Sequence, residues 1–383
     1  MSSPLGCYAE KVNHRQLEIL IRRCYEAGLS LCLWGAPGIG KSQTVRKVGR
    51  ELAAEMGRRY AEWNGLPNRE RAEVLRRPGD YFILLDMRLS QYDPSDLKGI
   101  PNLEGPYTEW KPPLWLHTLS REGAAGFIFL DELNLAPPSV QAAAYQLVLD
   151  RCVSDCRIAE GVGVIAAGNP PEYRPQAHDP PPPLLNRFLH VELEVPSPEA
   201  WSEWALQHGV DPRIVSFLKA RPELLFRWDP ESRSAAFPTP RTWEFASRLL
   251  GGTTDLESIR LMVSAAVGQG AAHEFVAFLK LCQGFDAGAV LADPENFPLP
   301  REPDQVYALL AALQSHYLRH RDGEVLERLF ILAQRLSSEL SSEYSVHLLR
   351  SLKSLDPELF RKRAEESERF GRLAREIVGM AYG

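Results

Sequence analysis

No stretch of this 383-residue sequence is apolar over the roughly 20 residues that a bilayer-spanning helix requires. The first residues, MSSPLGCYAE, also lack the basic start and apolar core of a secretory signal. The expectation is a soluble, cytoplasmic protein. Cysteine is scarce: Cys7, Cys24, Cys32, Cys152, Cys156 and Cys282 show neither the paired CxxC spacing of a zinc site nor the density of a disulfide scaffold, and they read as reduced thiols. Cys152 and Cys156, four apart, could face one another on a helix, but a metal there would still lack its other ligands. A basic excess is missing as well. With a formal charge of -6 the chain has no global pull toward phosphate backbones, so nucleic acid is not the default partner, although a basic patch can hide inside an acidic total. What remains is ordinary globular composition, 44% hydrophobic and 25% charged, in a chain long enough for two or three domains.

Four apolar runs in the first half read as buried strands: Leu31–Trp34, Tyr81–Leu85, Phe127–Leu130 and Val162–Ala167, with Phe188–Leu193 as a fifth. Helical periodicity fills the gaps between them, an alternation that predicts a parallel sheet covered by helices on both faces. The clearest helix spans about Lys41 to Glu55, where Val45, Val48 and Leu52 recur at helical spacing directly after a glycine-rich turn. Between the second and third strands Ser90–Pro113 is long and irregular, and a loop of that length inside a compact domain is usually functional. Its Tyr107, Trp110 and Trp115 either grip a partner or pack the insert.

Beyond the fourth strand Pro170, Pro171, Pro175 and the run Pro180–Pro183 argue against regular helix. From Pro198 onward the pattern is helical, with amphipathic segments at Ile214–Lys219, Arg241–Leu250, Leu309–Tyr317, Val325–Leu336 and Pro357–Met380. The last begins with Asp356 as N-cap and Pro357 at the first helical position, and it places Phe370, Leu373 and Ile377 on one face. The expected domains are residues 1–196, an α/β nucleotide-binding domain; 197–290, a helical lid; and 291–383, a further helical region.

The chemistry concentrates in two motifs. Gly35-Ala36-Pro37-Gly38-Ile39-Gly40-Lys41-Ser42 matches the phosphate-loop pattern GxxxxGK[ST], and it lies after a strand and before a helix, as the mechanism demands. Its glycines let the backbone curl so that N–H groups face phosphate oxygens, Lys41 neutralises charge, Ser42 ligates magnesium, and Gln43 continues the cradle into the helix. The second motif, Phe127-Ile-Phe-Leu-Asp131-Glu132, is an apolar strand ending in two acids: Asp131 to hold magnesium and Glu132 to orient and deprotonate an attacking water.

GAPGIGKS, FIFLDELN, the asparagine of VIAAGNP and the arginine of LLNRF occur in the order and spacing of AAA+ ATPases. The sequence resembles the MoxR and dynein-related branch most, over roughly Leu17–Leu250. The resemblance implies ATP and magnesium as cofactors and mechanical work in a homo-oligomeric, hexameric ring that remodels or matures a client protein, often with a von Willebrand factor A domain partner. It also implies that Asn169 is a sensor placing the attacking water, that Arg187 of Asn186-Arg187-Phe188 is an arginine finger, and that Arg241 of Pro240-Arg241-Thr242-Trp243 is a second nucleotide-sensing cation. Each has a plainer alternative: Asn169 before Pro170 closes a turn, Arg187 pairs with a surface acid, and Arg241 merely begins a helix after proline. The span Asp150–Gly161 leaves room for only a small version of the hairpin common in this branch. The rival functions are an NTP-driven nucleic-acid translocase, against which the acidic total weighs, and a non-catalytic nucleotide-dependent scaffold, against which intact Lys41, Asp131, Glu132 and Arg187 weigh.

Overall fold

The computed structural model describes residues 9–104, 109–173, 180–232 and 234–366. The chain separates into two compact units, Met1–Val195 and Pro196–Gly383.

In the first unit the elements run β1 (Glu10–Val12), α1 (His14–Ala27), β2 (Leu31–Trp34), α2 (Lys41–Glu55), β3 (Arg59–Glu62), α3 (Asn68–Arg76), β4 (Tyr81–Arg88), α4 (Pro94–Lys98), β5 (Ile100–Asn102), β6 (Glu109–Lys111), α5 (Leu114–Leu119), β7 (Ala125–Asp131), α6 (Pro138–Asp150), β8 (Cys152–Val153), β9 (Cys156–Arg157), β10 (Val162–Gly168), α7 (Pro182–Leu185) and β11 (Leu189–Leu193). Seven strands form one sheet in the order β1-β11-β2-β10-β7-β4-β3, every neighbouring pair parallel. The five apolar runs are its centre. β1 and β3 escaped the sequence reading because they are short edge strands: Glu10, Lys11 and Arg59 are exposed, which leaves no apolar run to detect.

Strand alternation sends successive residues to opposite faces. Phe82 and Phe127 pack edge to face with ring centroids 5.2 Å apart, and Tyr25 of α1 lies against both. Their neighbours Ile83, Leu85, Ile128 and Leu130 join the opposite core with Leu116 and Leu119 of α5 and Val140, Ala144 and Leu147 of α6. The fold is that of P-loop NTPases: a parallel sheet between helices, with the glycine-rich turn running from β2 into α2.

Three local expectations change. Ser90–Pro113 contains α4 and the antiparallel pair β5–β6, so it is structured over its described part; Tyr107 lies outside the described residues. Trp115 is buried and donates its indole N–H to the Asp96 carbonyl at 3.2 Å, so it packs the insert, while Trp110 is exposed. Cys152 and Cys156 do not share a helix. They lie on the two strands of the small β8–β9 hairpin, where Cys152 is opposite Arg157 and Val153 is opposite Cys156. Left-handed backbone at Arg151 and Ser154 turns the chain there and ends α6. The proline run does not abolish helix either, because Pro182 and Pro183 occupy the first turn of α7, where a missing N–H costs nothing.

The second unit is helical: α8 (Pro198–Gln207), α9 (Pro212–Ala220), α10 (Pro240–Leu250), α11 (Leu256–Val267), α12 (Gln269–Gln283), α13 (Ala287–Ala292), α14 (Pro303–Arg319), α15 (Gly323–Glu339), α16 (Ser342–Leu355) and α17 (Pro357–Glu366). One cluster of buried apolar residues runs through it from Trp201 to Phe360. Asp356 accepts the Leu359 N–H at 3.1 Å and caps α17; Phe370, Leu373 and Ile377 lie outside the described residues.

Candidate active site

The sheet order explains why motifs far apart in sequence become neighbours. β10 lies between β2 and β7, so the phosphate loop leaving β2, Asn169 following β10 and Asp131 ending β7 emerge side by side at the carboxyl edge. Crevices at the carboxyl ends of parallel strands are where ligands bind in open α/β sheets.

Two glycines of the loop are fixed by geometry. A Cβ on Gly35, whose φ is +149°, would lie 2.8 Å from the Leu193 carbonyl oxygen of β11. Gly40 caps α2 at φ +106° and ψ 9°, left-handed backbone that a side chain resists. Lys41, the first residue of α2, is buried, and its ammonium donates to Gly35 O at 2.7 Å, Ala36 O at 2.9 Å and Asn169 Oδ1 at 2.8 Å. That third bond ties the loop to the end of β10, where Asn169 is itself buried. Ser42 is half-buried on the same first turn, and Gln43 is exposed. Ala36 and Ile39 are buried, while Pro37 and Gly38 are half-buried.

Asp131 is half-buried, and burial pushes its carboxyl above the usual carboxylate range; the Glu132 N–H, which it accepts at 2.9 Å, and the nearby charge of Lys41 pull the other way. Arg88, which stands opposite Asp131 in the β4–β7 register, acts in the same sense as Lys41. Burial likewise raises Asp86, two residues before Arg88, although Arg46 of α2 is paired with it at 2.5 Å. Glu132 sits in the left-handed region at φ 58° and ψ 38°, a conformation that costs a non-glycine residue about 1–2 kcal/mol. Such strain clusters at functional sites. Its carboxylate accepts a hydrogen bond from the Ser90 hydroxyl, just past β4.

The structure therefore brings Lys41, Asn169, Asp131 and Glu132 to one edge. Arg187 is exposed just after α7, and its guanidinium makes no hydrogen bond or ion pair among the described residues. Its backbone is held by the Arg187 N–H to Leu184 O bond at 3.1 Å. Arg241 is exposed in the second unit, one residue into α10, behind the capping box of Thr239 and Thr242. Two residues of the site escaped the sequence reading. Ser90 carried no signal beyond opening an irregular stretch. Asn134, buried, donates to the Asn169 carbonyl at 2.7 Å and so holds the backbone of that asparagine; its place in LDELN was the available hint.

No family model matches the chain, and no curated protein matches it. Among solved structures it is similar to the Thermotoga maritima RuvB Holliday junction branch migration motor, at 14% identity over 80% of this chain and 83% of that one, with a TM-score of 0.27. It is also similar to NtrX from Brucella abortus in complex with ADP, at 16% identity over 89% and 68% with a TM-score of 0.36. A third is the Aeropyrum pernix ORC2 protein, at 12% identity over 89% and 85% with a TM-score of 0.34.

Proposed function

We propose that the protein is an AAA+ ATPase of the MoxR type, which hydrolyses Mg-ATP in a hexameric ring to remodel or help mature a partner protein. The observation that carries the reading is the meeting of three motifs at one sheet edge, with the Lys41 ammonium bonded both to the phosphate loop and to Asn169, and with the Asp131–Glu132 pair ending the strand beside β10. A buried lysine clamped to its own loop and to a second strand is where a phosphate chain would be neutralised. Asn169 would then orient water, and Glu132, whose carboxylate accepts a hydrogen bond from Ser90, would accept the water's proton.

The donor set suits magnesium held together with its nucleotide. Among the described residues no three His, Cys, Asp or Glu side chains come together as a metal cage. Magnesium is commonly bound by one or two protein groups plus substrate phosphates and water, so Ser42 and Asp131 would be its protein ligands. Bound there, the ion would neutralise phosphate charge.

Arg187 completes the proposal. An exposed guanidinium without a partner among the described residues is suited to reach a neighbouring subunit's site and offset charge that develops in the transition state. Arg241 would be the sensing cation of a lid at 197–290, with 291–383 as a further helical region. No helix of the described residues is long and apolar enough to cross a membrane. A cytoplasmic location and a protein partner, such as one with a von Willebrand factor A domain, rest on the sequence resemblance.

The test is phosphate release from ATP by the purified full chain, with and without magnesium, beside Asp131→Asn. The reading expects magnesium-dependent release that the substitution reduces by at least about 100-fold, as loss of a major charge stabiliser does. Release that is indifferent to both magnesium and Asp131 would sink it.

A further inference from the structure

His14 is the first residue of α1, and its position is set before it meets the phosphate loop. Asn13 and Gln16 form a reciprocal capping box at the helix start, with both bonds at 2.9 Å, and Leu17 and Ile21 anchor the helix in the core. Arg22 pairs with Glu51 at 2.6 Å and Lys47 with Glu18 at 2.6 Å, which fastens α1 to α2, the helix that the loop opens. From this platform the imidazole reaches the loop: Nε2 lies 2.8 Å from the Ile39 carbonyl oxygen. A carbonyl only accepts, so Nε2 carries the proton and donates. A Cβ built on Gly40 would lie 3.1 Å from the same nitrogen, so the ring also closes the space beside the left-handed glycine.

The consequence follows from the peptide unit. The Ile39–Gly40 bond is trans, and in a planar trans peptide the carbonyl and the next N–H point in opposite directions. Drawing the Ile39 carbonyl toward α1 therefore turns the Gly40 N–H away from α1. Phosphate loops bind through backbone N–H groups directed into the loop. Gly38 and Gly40, on either side of Ile39, both take positive φ, and backbone with that freedom is what a hydrogen bond to the Ile39 carbonyl can fix.

We infer that His14 is a positioning residue for nucleotide binding, which holds the Ile39–Gly40 peptide in the orientation that phosphate recognition requires; this rests on the nucleotide reading above. His14 touches the loop and not the substrate, so its removal should weaken affinity without disabling the chemistry of Glu132.

The experiment titrates the full chain with ADP and magnesium by calorimetry, with thermal melting in parallel. His14→Phe keeps ring volume and loses the donor; His14→Gln keeps a donor and loses the ring; His14→Ala is a second variant without a donor that cannot clash. Loss of one oriented hydrogen bond predicts ADP affinity weakened about tenfold in the Phe and Ala variants, with the Gln variant within about threefold of wild type. Wild-type affinity in both donor-less variants overturns the inference, as does a Gln variant no tighter than the Phe variant. If the wild-type chain gives no binding signal at millimolar nucleotide, the nucleotide reading fails and takes this inference with it. Binding by wild type together with unaffected donor-less variants removes this inference alone.

Discussion

The two units bury polar side chains in different ways. In the first, Lys41, Asn134 and Asn169 gather at one edge of the sheet, beside the half-buried acids Asp131 and Glu132. In the second, Ser216 of α9, Gln314 of α14 and His347 of α16 meet in the interior of helix packing, with Ser216 Oγ 3.3 Å from Gln314 Oε1 and 3.1 Å from His347 Nε2. The Ser216 hydroxyl donates to Gln314, so His347 Nε2 donates to Ser216. The first arrangement gathers charged groups at the carboxyl edge of the sheet; the second joins neutral groups inside helix packing, with the Gln314 side-chain N–H left without a hydrogen-bond partner among the described residues. A buried polar cluster that is charged and lies at a sheet edge is therefore the better candidate for a site. Elsewhere a polar cluster specifies how helices pack.

Substitutions in the two clusters should therefore fail differently, and the largest expected effect is at Arg187, which lies outside both. Arg187→Ala should bind ATP nearly normally and lose about 10³ to 10⁵ in turnover, the range an arginine finger supplies. Mixing it with Lys41→Ala, once subunit exchange is shown by labelled co-assembly, should restore activity at interfaces that pair an intact pocket with an intact finger. Full activity of Arg187→Ala alone would end the shared-site proposal. Glu132→Gln should hold Mg-ATP while turnover falls about 10² to 10⁴, because the amide keeps its hydrogen bonding but cannot take a proton. Wild-type turnover at saturating ATP would remove Glu132 as the base. Lys41→Ala should lose about 100-fold in nucleotide affinity by calorimetry, since it deletes the loop's only side-chain cation, yet keep its melting temperature within a few degrees. Unfolding of that variant would mean that the edge cluster supports the fold as the helical cluster does, and the contrast would collapse.

Much of the candidate site was legible because its constraints are local. Gly35 and Gly40 must accept unusual backbone, Lys41 must follow them, and Asp131 and Glu132 must end an apolar strand; all of this is written in consecutive residues. Helix Lys41–Glu55 was legible for the same reason, through Val45, Val48 and Leu52. What was hidden depends on contacts across the chain. Ser90 meets Glu132 across 42 positions and Asn134 meets Asn169 across 35, and a lone serine or asparagine announces neither. β1 and β3 join the sheet through backbone pairing that polar edge strands share with loops. In the helical unit, α9, α10, α14 and α15 showed amphipathic stripes. α11 and α12 were missed, since glycines at 251–252 and 268 set their limits while their alanines blur the contrast between faces.

The smallest effect sharpens the contrast from the helical side, and it is a matter of pH. His347 is fully enclosed, and burial, assisted by the positive charge of Lys219, pushes its imidazole down from the ordinary 6.5 to about 3. In the unfolded chain the same group takes up a proton near 6.5, so between these two values the unfolded state binds more protons than the folded one. Stability from this residue is therefore fully present above pH 6.5, declines as pH falls below it, and levels off below about 3. Between pH 7.5 and pH 5 the loss should be about 2 kcal/mol, from roughly 1.4 kcal/mol for each pH unit below the unfolded value. His347→Gln retains a donor toward Ser216 but does not titrate. Denaturant unfolding at the two pH values should show the variant losing about 2 kcal/mol less than wild type, while other titrating groups, including the burial-lowered His14, contribute equally to both chains and cancel. Turnover at pH 7.5 should be unchanged in the variant, because His347 belongs to packing. Equal pH dependence in the two chains would show that the imidazole is not held neutral by its enclosure, and a loss of turnover in a stably folded variant would show that the helical cluster serves the chemistry after all.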